Sequence, residues 1–192
     1  MTWLNPPLSV TGTIDTRLTA TTLPNTDFWR VTRHDFIADN GHLLAAPTRG
    51  DFTLTASFSA PLAAQYDQVG VMWRASEQLW VKAGLELLDG VPVPSVVVTR
   101  GESDWSVIPT GLRGLLRPAL APDEQGALAA SFRMTRIGSA LEVSALFQDG
   151  WKLLRQAFVG LEGGQAGVLL ASPKGTGLQA TFWDVTLEQS AQ

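Results

Sequence analysis

Apolar and polar positions alternate along most of this chain with a period of two, the spacing of a strand whose side chains point to opposite faces. Two neighbouring segments show it best, Tyr66–Arg74 and Leu79–Leu88. Their odd positions are Val69, Val71 and Trp73, then Leu79, Val81, Ala83, Leu85 and Leu87, a face made for a core. The same reading predicts strands at Val10–Thr21, Phe28–Thr32, Phe36–Asp39, His42–Ala46, Phe52–Phe58, Ser95–Arg100, Trp105–Pro109, Ala129–Arg136, Leu141–Phe147, Trp151–Phe158, Ala166–Ala171 and Gly177–Glu188. Asn40-Gly41 is the strongest two-residue hairpin signal, followed by Asp89-Gly90 and Asp149-Gly150. Helical periodicity is nearly absent. So many antiparallel strands must close into a barrel or stack as two sheets, and a two-sheet jelly roll is expected.

The even positions of the two leading segments are unlike a plain solvated face. They read Gln68, Gly70, Met72 and Arg74, then Trp80, Lys82, Gly84, Glu86 and Leu88. Glycine weakens a strand interior and often marks close approach by a ligand or another backbone. Two registers keep like faces together. One sets Gln68 opposite Glu86 and Gly70 opposite Gly84; the other sets Tyr66 opposite Glu86 and Gln68 opposite Gly84. Either leaves a low spot flanked by Lys82 and Glu86, whose backbones stand about 13 Å apart on one strand face. A surface ion network with Arg74, over a glycine kink that curves the sheet, accounts for the same residues.

The chain of 192 residues suits one domain, 1–192, and its 45% hydrophobic content can fill a core. Net charge is −4 without a Lys/Arg cluster, so no nucleic-acid footprint is present. No apolar run approaches the roughly 18 residues of a membrane span, so no membrane role is expected. Cysteine is absent, which removes disulfides and thiolate metal sites. The start, Met1-Thr2-Trp3-Leu4-Asn5, has neither a basic nor an apolar leader pattern, and a cytoplasmic protein is expected. The stretch Gly111–Gly126, rich in Gly, Pro and Leu, reads as a long surface loop.

Known catalytic signatures are few. There is no Gly-x-Ser-x-Gly elbow, and Gly163-Gly164-Gln165-Ala166-Gly167 precedes a strand rather than a helix, so it is no dinucleotide loop. His34, Asp35, Asp39 and His42 fit no metal signature, and hairpin hydrogen bonds with an aromatic layer explain that segment better. No metal and no cofactor are expected. Two-carboxylate glycan chemistry needs acids about 5–9.5 Å apart. Glu86 is the outward acid of its strand, so a second would come from elsewhere, Asp104 or Asp67. A nearby Lys82 would lower the Glu86 pKa, which suits a base or nucleophile.

The motifs Asp27-Phe28-Trp29-Arg30, Asp39-Asn40-Gly41-His42, Tyr66-Asp67-Gln68-Val69-Gly70, Trp80-Val81-Lys82-Ala83-Gly84-Leu85-Glu86, Val98-Thr99, Ser103-Asp104-Trp105-Ser106 and Asp149-Gly150 follow one another in a familiar order. Over about Asn5 to Leu187 the chain resembles the "regulation of enolase" family of the concanavalin A-like lectin/glucanase superfamily. The resemblance implies an all-β jelly-roll sandwich of two antiparallel sheets, one concave, and a concave face that binds or cleaves glycans. Superfamily glucanases carry Glu-x-Asp with a further Glu on one concave strand; Lys82, Gly84 and Glu86 stand there here, so the hydrolytic pair does not transfer.

The expected site is a groove on Gln68, Lys82, Glu86 and Thr99, with Arg74 beside them and Trp80, Trp29 and Trp105 at its edges. The expected role is non-catalytic binding of a carbohydrate or a related polyhydroxylated or anionic metabolite, with Gln68, Lys82 and Glu86 supplying hydrogen bonds. The alternatives are a regulatory domain that acts on a metabolic enzyme, which the family name suggests, and a glycan hydrolase using Glu86 with Asp104.

Overall fold

The computed structural model describes residues 1–108, 115, 127–160 and 163–189. They form two seven-stranded antiparallel sheets and a separate strand pair, with no helix among the described residues. The first sheet runs in the order β1 (Thr2–Leu4), β6 (His42–Thr48), β15 (Gly164–Ala171), β8 (Gln68–Ser76), β9 (Leu79–Leu88), β10 (Val91–Arg100) and β11 (Glu102–Val107). The second runs β14 (Gly150–Phe158), β13 (Ala140–Phe147), β12 (Leu128–Ile137), β7 (Phe52–Ala60), β16 (Gln179–Gln189), β3 (Arg17–Thr21) and β2 (Ser9–Gly12). The pair β4 (Phe28–Arg30) and β5 (Ile37–Asp39) stands apart from both as a flap.

The alternation read from the sequence decides which face meets the core. Val69, Val71, Trp73, Val81, Ala83 and Leu85 enter the main core, opposite Leu54, Phe58, Phe132 and Phe182 of the second sheet. Phe58 anchors that layer, with ring centroids 5.6 Å from Phe132 and 6.4 Å from Phe182. The even positions of β8 and β9 take the outer face. There a second, smaller apolar cluster of Phe28, Leu43, Ala45, Met72, Trp80, Val97 and Leu169 lies beneath the flap. The sandwich therefore has a core between its sheets and a partial third layer on one side.

The β8–β9 register sets Gln68 opposite Glu86 and Gly70 opposite Gly84. A Cβ at Gly84 would collide with the Val69 carbonyl oxygen, and one at Gly70 with that of Ala83. Glycine is required there because the two backbones approach too closely for a side chain. The β9–β10 hairpin turns through Asp89 and Gly90, both left-handed at φ 49° and 78°, as a two-residue type I′ turn needs.

Two expectations change. The predicted strand Val10–Thr21 is broken into β2 and β3, because Gly12 turns left-handed at φ 76° and packs on the Arg17 carbonyl. Asn40-Gly41 is not a hairpin tip: β5 and β6 do not pair, and the dipeptide carries the chain from flap to sheet. Asn40 instead ties the base of the flap, accepting from the Asp27 amide at 2.9 Å and donating to Asn25 O at 3.0 Å. The predicted loop Gly111–Gly126 lies outside the described residues except for Leu115, which is buried and bridges to Phe147.

Candidate functional site

The flap is fastened to the outer face of the first sheet by side chains. Lys82 Nζ reaches Asp27 Oδ1 at 3.0 Å and Phe28 O at 2.7 Å. Gln68 Nε2 reaches the same Asp27 oxygen at 3.0 Å. At the other end Arg74 pairs with Asp39 at 2.7 Å. A third tie crosses to the β10–β11 turn, where Arg30 Nε donates to Gly101 O and the Arg30 amide donates to Ser103 Oγ at 2.9 Å. The tip between β4 and β5 holds Val31, Arg33 and Asp35 at φ 62°, 66° and 54°. For a β-branched residue such as Val31 this is a strained conformation, held by hydrogen bonds from Val31 N to Phe36 O and from Asp35 N to Val31 O.

Between flap and sheet lies a pocket of about 750 Å³. That size suits a small organic ligand. Its floor is Gln68, Lys82, Glu86 and Val97; its walls are aromatic, with Trp29 and Phe36 from the flap, Trp105 from β11 and Tyr66 from the turn before β8. Trp105 is the corner of this wall. Its ring lies 6.4 Å from Trp29 at 89° and 6.4 Å from Tyr66 at 80°. Tyr66 is itself left-handed at φ 68°, held by its amide bond to Leu87 O. A notch of about 10 Å³ over Gly84 deepens the floor between Gln68, Lys82, Glu86 and Ser95.

Glu86 is 7% exposed. It accepts from Trp105 Nε1 at 3.2 Å, a donor shared with Ser95 Oγ at 3.0 Å. Burial pushes its carboxyl above the ordinary value, and this outweighs the lowering by Lys82 and Ser95. The sequence reading expected Lys82 to win; the ammonium is committed to Asp27 and Phe28 O, while water is largely removed from Glu86. Burial likewise raises Asp39, against the attraction of Arg74. Asp39 Oδ1 and Arg74 Nε are buried without partners among the described residues.

The residues singled out from the sequence fall into three groups. Gln68, Lys82, Glu86, Trp29 and Trp105 line the pocket together. Arg74, Trp80 and Thr99 stand behind it. Arg74 anchors Asp39, and Trp80, 1% exposed, packs beneath Phe28 with Lys82 Nζ 5.7 Å from its ring centroid. Thr99 is fully buried and bonded to Ser103 Oγ at 2.8 Å, bracing the flap tie rather than a ligand.

Asp104 is the third case. It pairs in register with Val98, whose side chain enters the core, whereas Trp105 faces the pocket, so alternation turns Asp104 away from Glu86. It binds Arg155 of β14 at 2.8 Å instead. Asp67, by contrast, is buried, accepting from Ser172 Oγ, Ala63 N and Ala64 N. The second carboxylate near Glu86 is Asp27, close enough for its charge to raise the Glu86 pKa. Tyr66, His34, Phe36 and Asp39 also line the pocket without having been proposed. No group of three or more His, Asp or Glu that could hold a metal occurs among the described residues.

The family model described as "Protein of unknown function (DUF1349)" matches residues 3–190. The chain belongs to this family. It is 34% identical over 188 residues to "Regulation of enolase protein 1" of Saccharomyces cerevisiae, a match covering 96% of this chain and 88% of that protein. The crystal structure of a functionally unknown S. cerevisiae protein superposes with a TM-score of 0.84 at 31% identity, over 100% of this chain and 97% of the other. More distant likenesses show the fold alone. A GH43 protein of Bacillus licheniformis, BlXynB, gives a TM-score of 0.61 at 14% identity, over 91% of this chain and 33% of its own. The alginate lyase of Klebsiella pneumoniae gives 0.55 at 12%, over 92% and 82%.

Proposed function

We propose that this family member is a small-molecule binding domain whose ligand is a polyhydroxylated, carbohydrate-like molecule held between flap and sheet. The observation that carries the reading is the 750 Å³ pocket with aromatic walls over a polar floor. Sugar rings pair apolar C–H faces with directional hydroxyls, and this pocket offers a surface for each. Trp29, Tyr66 and Trp105 would take the faces; Gln68, Glu86 and Asp27 would take hydroxyls. The binding role is favoured over hydrolysis because Asp27 is held by Lys82, Gln68 and the Phe28 amide rather than poised at a reacting atom. Titration of monosaccharides and polyols, followed by tryptophan fluorescence and calorimetry, tests it. Saturable binding that Gln68→Ala and Trp105→Ala each weaken at least tenfold is expected. No binding at millimolar concentration across the panel overturns it.

A second reading rests on the name of the yeast relative, regulation of enolase. By that likeness the domain would act on a metabolic enzyme, enolase itself, in the cytoplasm. The exposed Phe36 and Ile37 of the flap, 45% and 56% accessible, would supply contact beside the pocket. Enolase activity and co-elution, measured with and without this protein, test that reading. No change in rate and no complex count against it.

A further inference from the structure

The pocket's charges are unevenly satisfied. Three carboxyl groups line it, Asp27, Asp39 and Glu86. Asp27 has Lys82 at 3.0 Å and Asp39 has Arg74 at 2.7 Å. Glu86 is the most deeply buried of the three, and no cation bonds to it among the described residues. Its hydrogen-bond partners are the neutral donors Trp105 and Ser95, and the Lys82 ammonium acts on it only through space, as does the Asp27 carboxylate in the opposite sense. A buried carboxylate without a bonded cation is costly, so its charge is met by a proton or by a positive group brought from outside.

The surroundings of Glu86 favour the second. Trp105, which donates to Glu86 Oε2, is also the middle of three rings set nearly at right angles. Perpendicular rings turn two π faces toward one space, and each face carries the negative side of its quadrupole. Corner and carboxyl are thus joined through a single residue. Such a corner attracts an ammonium group, and water largely excluded from the floor strengthens that attraction. The lining cations offset it only in part: the charge of Lys82 reaches Glu86 but its hydrogen bonds go to Asp27 and Phe28 O, and burial still dominates at Glu86, while Lys174 is exposed, where solvent screens its charge.

We propose that the ligand carries a protonated amine, seated in the Trp29–Trp105–Tyr66 corner against Glu86. The proposal rests on the reading of this pocket as a ligand site and narrows its chemistry to an amino-bearing polyol. Acidic sugars are excluded by the same arrangement, because their carboxylate would face Glu86.

The test uses four probes of matched ring size, D-glucose, D-glucosamine, N-acetyl-D-glucosamine and D-glucuronate, with tetramethylammonium as a cation lacking hydroxyls. Glucosamine is expected to bind at least tenfold more tightly than glucose and N-acetylglucosamine, and glucuronate least. Glu86→Gln should weaken glucosamine binding at least tenfold more than it weakens glucose binding, and Trp29→Leu should reduce the glucosamine advantage, with the thermal midpoint of each variant as a check on folding. Equal binding of glucose and glucosamine, or preference for glucuronate, overturns the amine and leaves the polyol reading standing. Binding of tetramethylammonium and glucosamine without any glucose binding supports the amine and overturns the polyol requirement. No binding of any probe overturns both.

Discussion

Lys82 and Asp27 are 55 residues apart in sequence, and their side chains meet at 3.0 Å where flap and sheet join. The ammonium is 7% exposed and the carboxylate 16%. The contact therefore fastens the flap and holds Lys82 in the pocket floor with its ammonium already hydrogen-bonded.

Removing one partner should cost far more than removing both. Asp27→Ala leaves a buried ammonium with only the Phe28 carbonyl, and should lower stability by about 3 kcal/mol. Lys82→Met alone leaves a buried carboxylate without its cation, and the double replacement Asp27→Ala with Lys82→Met should recover a good part of either loss. Urea denaturation of the two single variants and the double variant measures the coupling. Simple additivity of the single effects would show that the pair contributes nothing beyond its separate contacts.

Gly84 should tolerate no side chain. Alanine there drives its methyl into the Val69 carbonyl, and backbone cannot yield as a flexible side chain can. Overpacking costs typically about 1–3 kcal/mol, and a collision with a paired strand lies at or above the top of that range. Gly84→Ala should therefore depress the thermal midpoint by many degrees or prevent folding. A midpoint near that of the parent chain would show that β8 and β9 can part.

His42 is fully buried between two backbone partners. The Leu23 amide donates to Nε2 at 3.1 Å, so the proton must reside on Nδ1, which donates to Asn5 O at 2.7 Å. Burial holds its pKa below the ordinary 6.5. An unfolded chain then binds this proton more readily than the folded one. The His42 contribution is complete above pH 6.5 and is lost as pH falls from there through the depressed folded value. Urea midpoints should drop on going from pH 7.5 toward pH 5, and His42→Gln should flatten that part of the profile. Nitrogen-detected NMR should find the Nδ1-protonated tautomer.

Glu86 works in the opposite sense. Its folded pKa lies above the ordinary 4.5 because burial dominates. Folded protein binds the proton more readily, so this contribution is complete below pH 4.5 and is lost as pH rises through the raised value. Glu86→Gln should accordingly raise the urea midpoint at pH 8 relative to the parent more than at pH 4. Carboxyl-carbon NMR titration should place the Glu86 midpoint above the ordinary 4.5.

Strand alternation was legible because it needs only local sequence. Val69, Val71 and Trp73 declared the core face of β8, and Gln68, Lys82 and Glu86 declared the other. The number of such strands already pointed to two stacked sheets, and the resemblance agreed with it. What neighbouring residues cannot reveal is which distant segment lies over a face. Asp27 became a site residue only because the flap folds back onto β8 and β9. Asn40-Gly41 carries a hairpin's local signal, yet Gly41 is fixed by the Phe28 ring, which a Cβ would meet at 2.5 Å. Asp104 shows the reverse error. It is near Trp105 in sequence, but one step along a strand turns a side chain to the other face.

The flap pairs only with itself, so no ladder of either large sheet runs through it. Its tip, residues 31–36, is spelled by a stretch of chain on which neither main sheet depends. One wall of the pocket is therefore separable from the scaffold in the way a key's teeth are separable from its shank. Substitutions confined to that stretch can redraw what the pocket accepts while the sandwich, and the floor of Gln68, Lys82 and Glu86, keep their shape.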